Sequence, residues 1–270
     1  MNQPPHTKNL TASHRRRYGK TDTADAVAAA RAVLSGEATG RPRGGTGTVE
    51  SMRLLKTARR SAIRARTVAV NQIHAVIVTA PDQLRQTLQG LTIRKITERV
   101  SGYRPGDPTD PAQAAKITLK ALAGRYQSLT DEIRGLDCHL ERLVEQTAPP
   151  QLLAMCGIGT QTAADLLITA GTNPDRISNQ KSFAALCGTS PVDASSGRHQ
   201  RHRLNRGGDR QANAALYRIV IVRLRYHQPT RQYMQRRLQE GLTKTEIIRC
   251  LKRYVAKDIF NTLTHPQPAP

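Results

Sequence analysis

Acidic residues are scarce in this 270-residue chain: 20 Asp and Glu stand against 42 Lys and Arg, for a formal charge of +22. Such a chain repels itself unless a polyanion neutralises it, so nucleic acid is the expected partner. Anionic membrane would attract the same charge, but no lipidation signal accompanies it. Cysteine is scarce too. Cys138, Cys156, Cys187 and Cys250 are widely separated, which argues against a dense disulfide framework or a paired zinc-ligand pattern and is expected of reduced thiols. Apolar runs fall short of the roughly 18 residues that span a bilayer. The polar first 25 residues lack the apolar stretch of a signal peptide. A cytoplasmic, nucleoid-associated protein with no membrane partner is expected. Internal repeats and low-complexity tracts are also missing, and the length admits one large domain or two modest ones.

What the chain does have is helical periodicity. Residues 1–20 are polar and basic, with Pro4 and Pro5, and read as irregular. Asp22 is placed to cap a helix whose body runs from Ala24 to Leu34, because a carboxylate accepts first-turn amides and alanine favours helix. Gly36 and the GRPRGGTGT stretch at 40–48 end it. A long helix is predicted over 49–78, with Met52, Leu55, Ala62, Ala69, Ile73 and Val76 on one side. Arg53, Lys56, Arg59, Arg60, Arg64 and Arg66 lie on the other, which faces either phosphates or solvent.

Pro81 and the SGYRPGDPTDP stretch at 101–111 break the pattern. Ala115, Leu119, Leu122, Tyr126, Leu129, Ile133, Leu136, Leu140 and Leu143 then alternate steps of four and three, the seam of a coiled coil or a long antiparallel hairpin. Its partner is either the earlier Arg-rich helix or another subunit, and a homo-oligomer is expected. Pro149 and Pro150 stop it. The expected divisions are 1–45, a basic helical region and linker at 46–111, a coiled-coil helix at 112–148, a compact helical domain at 149–263 and a tail at 264–270. The fold class is mainly α.

Two stretches carry chemistry. Around Gly157 and Gly159 the pattern is helix, tight glycine turn, helix, and bare amides there, with Thr160 opening the second helix, would suit a DNA phosphate. This resembles the helix-hairpin-helix module of DNA repair and recombination proteins; a sharp turn with no ligand is the alternative. Further on, Ser195-Ser196-Gly197 precedes Arg198, Arg201, Arg203, Arg206 and Arg210. A serine beside glycine can present its hydroxyl to a phosphate, and arginines can stabilise the charge of a phosphoryl transition state. An ordinary Ser-Gly turn remains the competing reading. No carboxylate–histidine pair stands at an obvious spacing, so His199 and His202 are not assigned as bases.

The run from Phe183 to Tyr217, with A-x-L-C-G-T-S-P, S-S-G and N-R-G-G-D-R-Q-A-N-A-A-L-Y, resembles the C-terminal domain of DEDD-type insertion-sequence transposases of the IS-one-ten family. Lys20-Thr21-Asp22 and Asp25-Ala26 are similar to that family's K-T-D-x-x-D-A motif. The resemblance runs from about residue 15 to 260. It implies that Ser196, or its neighbour Ser195, attacks a DNA phosphate and forms a phosphoserine link. It also implies that Asp22 and Asp25 are two of four carboxylates, on an RNase H-like domain, that hold Mg2+ or another divalent cation. Double-stranded DNA, oligomerisation and a structured guide RNA are implied in the same way. The family's other two acids lie well before this motif, whereas 21 residues precede Asp22 here. Residues 1–45 are therefore expected to be a truncated RNase H-like remnant, and the chain either an incomplete enzyme or a catalytically inactive nucleic-acid-binding remnant. A repair nuclease is disfavoured, because no convincing carboxylate cluster follows residue 30.

Overall fold

In a computed structural model of the chain, the described residues are 22–36, 45–171, 177, 179–193, 202–203, 205 and 207–265. They belong to two units, Met1–Arg43 and Gly44–Pro270. In the first, α1 (Asp22–Leu34) begins at the aspartate itself, so Asp22 is the first helical residue rather than the residue before the helix.

The second unit starts with α2 (Gly47–Thr79), α3 (Asp82–Leu88), α4 (Ile93–Ser101) and α5 (Pro111–Thr147). Local sequence explains the sharp start of α5: the Asp110 carboxylate accepts from the Ala112 amide at 2.9 Å, and Pro111 occupies the first turn, where its missing N–H costs nothing. Helices α2 and α5 pack as an antiparallel hairpin. Arg59 pairs with Asp137, and one to two turns further along α2 Arg66 reaches Thr130 and lies over the Tyr126 ring. The expected seam is the face that α5 turns inward: Leu119, Ile133 and Leu140 are buried and the other seam residues half-buried. Because α2 of the same chain covers this stripe, an exposed seam gives no reason to invoke a second subunit.

The regions expected at 46–111 and 112–148 thus form one structural element. At its far end α3 and α4 close a core of Ile73, Ile77, Leu84, Leu88, Ile96, Val100 and Leu119. At its near end Met52, Leu140 and Val144 enter a second core shared with the helices that follow.

Those helices are α6 (Pro150–Ala154), α7 (Thr160–Ala170), α8 (Gln180–Leu186), α9 (Arg210–Tyr226), α10 (Gln228–Gln239) and α11 (Lys244–Thr264). Between α8 and α9 lie two short antiparallel strands, β1 (Val192–Asp193) and β2 (His202–Arg203), with Val192 opposite Arg203 and Asp193 opposite His202. Caps set the helix starts: Asp209 accepts from the Gln211 and Ala212 amides at the head of α9, and Thr243 and Glu246 cap each other's backbone at the head of α11. The core joins Leu152, Leu166, Phe183, Leu216, Ile219, Ile247 and Ile259. The chain is mainly helical, and among the described residues no helix is long and apolar enough to cross a membrane.

Candidate nucleic-acid interface

Three of the six basic residues expected on one face of α2 are consumed by ion pairing, while Arg64 is exposed. Arg53 pairs with Glu50, and Arg59 with Asp137. Lys56 is buried, its ammonium 2.9 Å from Asp165 and donating to the Gln161 backbone oxygen at 3.2 Å and side-chain oxygen at 3.0 Å. The outward placement of Lys56 is therefore corrected: α7 packs over this part of α2, and the long lysine stem reaches its carboxylate across the interface. Asp165 also accepts from Arg218 of α9 at 2.9 Å. Burial lowers the Lys56 pKa, and the attraction of Asp165 opposes that shift without overcoming it. Gln161 extends the network by donating to Asp137 at 2.7 Å.

The glycine turn between α6 and α7 is formed, but its two glycines do different work. Gly157 has φ +87°, and a Cβ there would lie 3.0 Å from the Ile219 carbonyl oxygen, so this glycine admits the α9 backbone. The Gly159 amide is not bare as expected, since it donates to the Thr162 hydroxyl at 3.0 Å. The adjoining cavity, of about 440 Å³, is lined by Gly157, Gly159 and Thr160 but also by Asp137, Glu141 and Arg218. Of the two carboxylates beside the turn, Asp137 is already paired with Arg59.

The second stretch has a different electrostatic character. Gly188 ends α8 at φ +64°, and Gly208 crosses it so closely that a Cβ on Gly208 would lie 2.1 Å from the Gly188 nitrogen. The crossing is tied by the Asp209 amide donating to the Leu186 carbonyl at 2.7 Å, and by the Asn213 amide donating to the Cys187 and Gly188 carbonyls at 3.0 and 2.9 Å. A cavity of about 520 Å³ opens beside it, lined by Gly188, Asn205, Gly208, Arg210, Asn213, Ala214, Tyr217 and Lys252. Among the described residues its lining holds two cationic side chains and no carboxylate.

Of the sequence-predicted residues, Arg203 is exposed on β2, and Arg210 is exposed at the head of α9 and lines this cavity. Ser195, Ser196, Arg198, His199, Arg201 and Arg206 lie outside the described residues, on or just beyond the connection between β1 and β2. Asn213 and Lys252 were not picked out from sequence. Asn213 does fall within the N-R-G-G-D-R-Q-A-N run, whereas Lys252 lies on α11, remote in sequence and within an unremarkable amphipathic pattern. Asp22 is exposed on α1, and the Asp25 side chain lies outside the described residues. Among the described residues no group of three or more His, Cys, Asp or Glu is placed to hold a metal ion. No metal-dependent step is assigned to the described residues.

Comparison with known proteins bears on this region. Residues 150–235, from α6 into α10, match the model of the transposase IS116/IS110/IS902 family. The chain is similar to the insertion element IS110 uncharacterized 43.6 kDa protein of Streptomyces coelicolor, at 29% identity over 150 residues, covering 54% of this chain and 36% of that protein. It is also similar to the insertion element IS900 uncharacterized 42 kDa protein of Mycobacterium paratuberculosis, at 27% identity over 143 residues, covering 52% of this chain and 36% of the relative. The aligned stretch thus spans about a third of the length of each of these curated relatives.

Proposed function

We propose that this chain, whose residues 150–235 match the model of the IS116/IS110/IS902 transposase family, handles DNA during transposition and supplies the serine for phosphoryl transfer. One observation carries the reading: within the matched segment, Arg210 lines a cavity whose described lining is cationic and holds no carboxylate, and the S-S-G motif precedes it in sequence, between the positions of the paired strands β1 and β2. Ser196 is the nucleophile. Its hydroxyl attacks a DNA phosphorus, the strand's sugar oxygen leaves, and the resulting phosphoserine ester conserves the bond for rejoining. Arg198, Arg201, Arg203, Arg206 and Arg210 meet the non-bridging oxygens as negative charge grows. Double-stranded DNA is the substrate, a structured guide RNA selects it, and the working unit is a homo-oligomer. Mg2+ or a similar cation belongs to a complete acidic site that includes Asp22 and Asp25. The turn at Gly157, Gly159 and Thr160 contributes packing and, at most, a peripheral DNA contact.

The test traps covalent protein–DNA adducts under denaturing conditions, in a chain carrying a complete acidic site. Ser196→Ala abolishes the adduct while duplex binding persists, and Ser195→Ala retains it. Adducts surviving the double replacement would refute the serine mechanism. A second reading, DNA binding without catalysis, predicts duplex binding with no covalent adduct.

A further inference from the structure

Two lysines of the second unit are buried, and they are served very differently. Lys56 has a carboxylate at 2.9 Å and two further oxygens. Lys252, on α11 and 6% exposed, has one partner among the described residues, the Asn213 side-chain oxygen at 2.8 Å. That oxygen cannot be exchanged for the amide nitrogen, because the nitrogen already donates to the Cys187 and Gly188 carbonyls. An ammonium offers three N–H donors, so two are left over. Burying a cation without a counter-charge is expensive and is normally avoided by pairing. Here burial lowers the Lys252 pKa, with the Arg249 charge pushing the same way. Lys252 faces a cavity of about 520 Å³ whose other cation is Arg210 and whose rim carries the half-exposed Tyr217. Among the described residues no carboxylate lines it.

We propose that this cavity is a phosphate-binding site, in which Lys252 and Arg210 grip one backbone phosphodiester of duplex DNA while Asn213 holds the lysine in place. The anion that Lys252 lacks among the described residues arrives with the ligand. The cavity admits a phosphate with its flanking sugar, and Tyr217 offers a ring and hydroxyl at the entrance. The choice of DNA rests on the transposase reading above; the anion site itself does not, and it requires nothing of Ser196.

The test uses the full chain and a 30-base-pair duplex, with anisotropy recorded across a salt series. Lys252→Met lowers affinity about tenfold, the loss expected of a charge-assisted hydrogen bond. It also reduces the log–log salt slope by about 0.9, one phosphate contact. In parallel, the unaltered chain is acylated with acetic anhydride and its lysines are read by mass spectrometry, a measurement that does not depend on any variant folding. Saturating duplex protects Lys252 several-fold. A folded Lys252→Met chain with unchanged affinity and slope, or Lys252 acylated equally with and without duplex, would overturn the site. Protection by inorganic phosphate or by a structured RNA hairpin but not by duplex would overturn the assignment to DNA. Lys252 protection together with no Ser196 adduct would sink the serine chemistry and leave this site standing.

Discussion

Replacing Asp165 with alanine is expected to be among the most destabilising single changes in the second unit, and the reason is Lys56 rather than the aspartate. Asp165 is 4% exposed and bridges Lys56 of α2 to Arg218 of α9, each at 2.9 Å. Arg218 is half-exposed, so water compensates it when the carboxylate goes. Lys56 is buried and keeps only the two Gln161 oxygens. If it stays charged, breaking a buried pair of this kind costs about 3–5 kcal/mol. If it discharges, the ceiling at pH 7 is about 4.6 kcal/mol, from an ordinary lysine value near 10.4 and about 1.4 kcal/mol per pKa unit. Burial already lowers the Lys56 pKa, which places the discharge cost below that ceiling. The charged route sets the expectation at roughly 3–5 kcal/mol and discharge caps it at about 4.6 kcal/mol, or about 6–18 °C in Tm for a domain of this size. Urea unfolding followed by far-UV circular dichroism measures it. The double replacement Lys56→Met with Asp165→Leu removes the stranded charge and should recover most of the loss, to within about 1–2 kcal/mol of the parent. An Asp165→Ala cost below about 1 kcal/mol, or a double variant as unstable as the sum of the singles, would refute the reasoning.

Three further outcomes follow from the packing of the second unit. Gly208→Ala sets a Cβ 2.1 Å from the Gly188 nitrogen and 2.9 Å from the Ala185 oxygen, backbone atoms that cannot turn aside, so its cost should reach at least about 3 kcal/mol. Gly159→Ala, with nothing within 4 Å of the added carbon, should cost no more than about 1 kcal/mol in the same unfolding assay. Burial pushes the Cys187 thiol up to about 12, whereas Cys138 is exposed. Iodoacetamide at pH 8 should therefore label Cys138 in the native chain and spare Cys187 until denaturant is added, as peptide mass spectrometry would show.

Much of this protein was decided by residues acting on their near neighbours. Prolines at 111, 149 and 150 and the caps at Asp110, Asp209 and Thr243 set helix starts through bonds that span a few residues. The 3.6-residue period named the sides that α2 and α5 hide, from Met52 through Ile73 and from Leu119 through Leu140, because burial requires an apolar stripe whatever covers it. The surplus of 22 positive charges makes a polyanion the expected partner whatever the fold. Tertiary structure alone decided what each stripe and charge would meet. It covered the α5 seam with α2, turned Lys56 from an outward basic face to Asp165, assigned Gly157 to the Ile219 backbone, and brought Lys252 from α11 beside Asn213 and Arg210. Periodicity is one-dimensional and records only that a side is hidden. Which distant carboxylate, carbonyl or cavity stands opposite depends on how the helices cross, and that is set by close packing summed over the whole core.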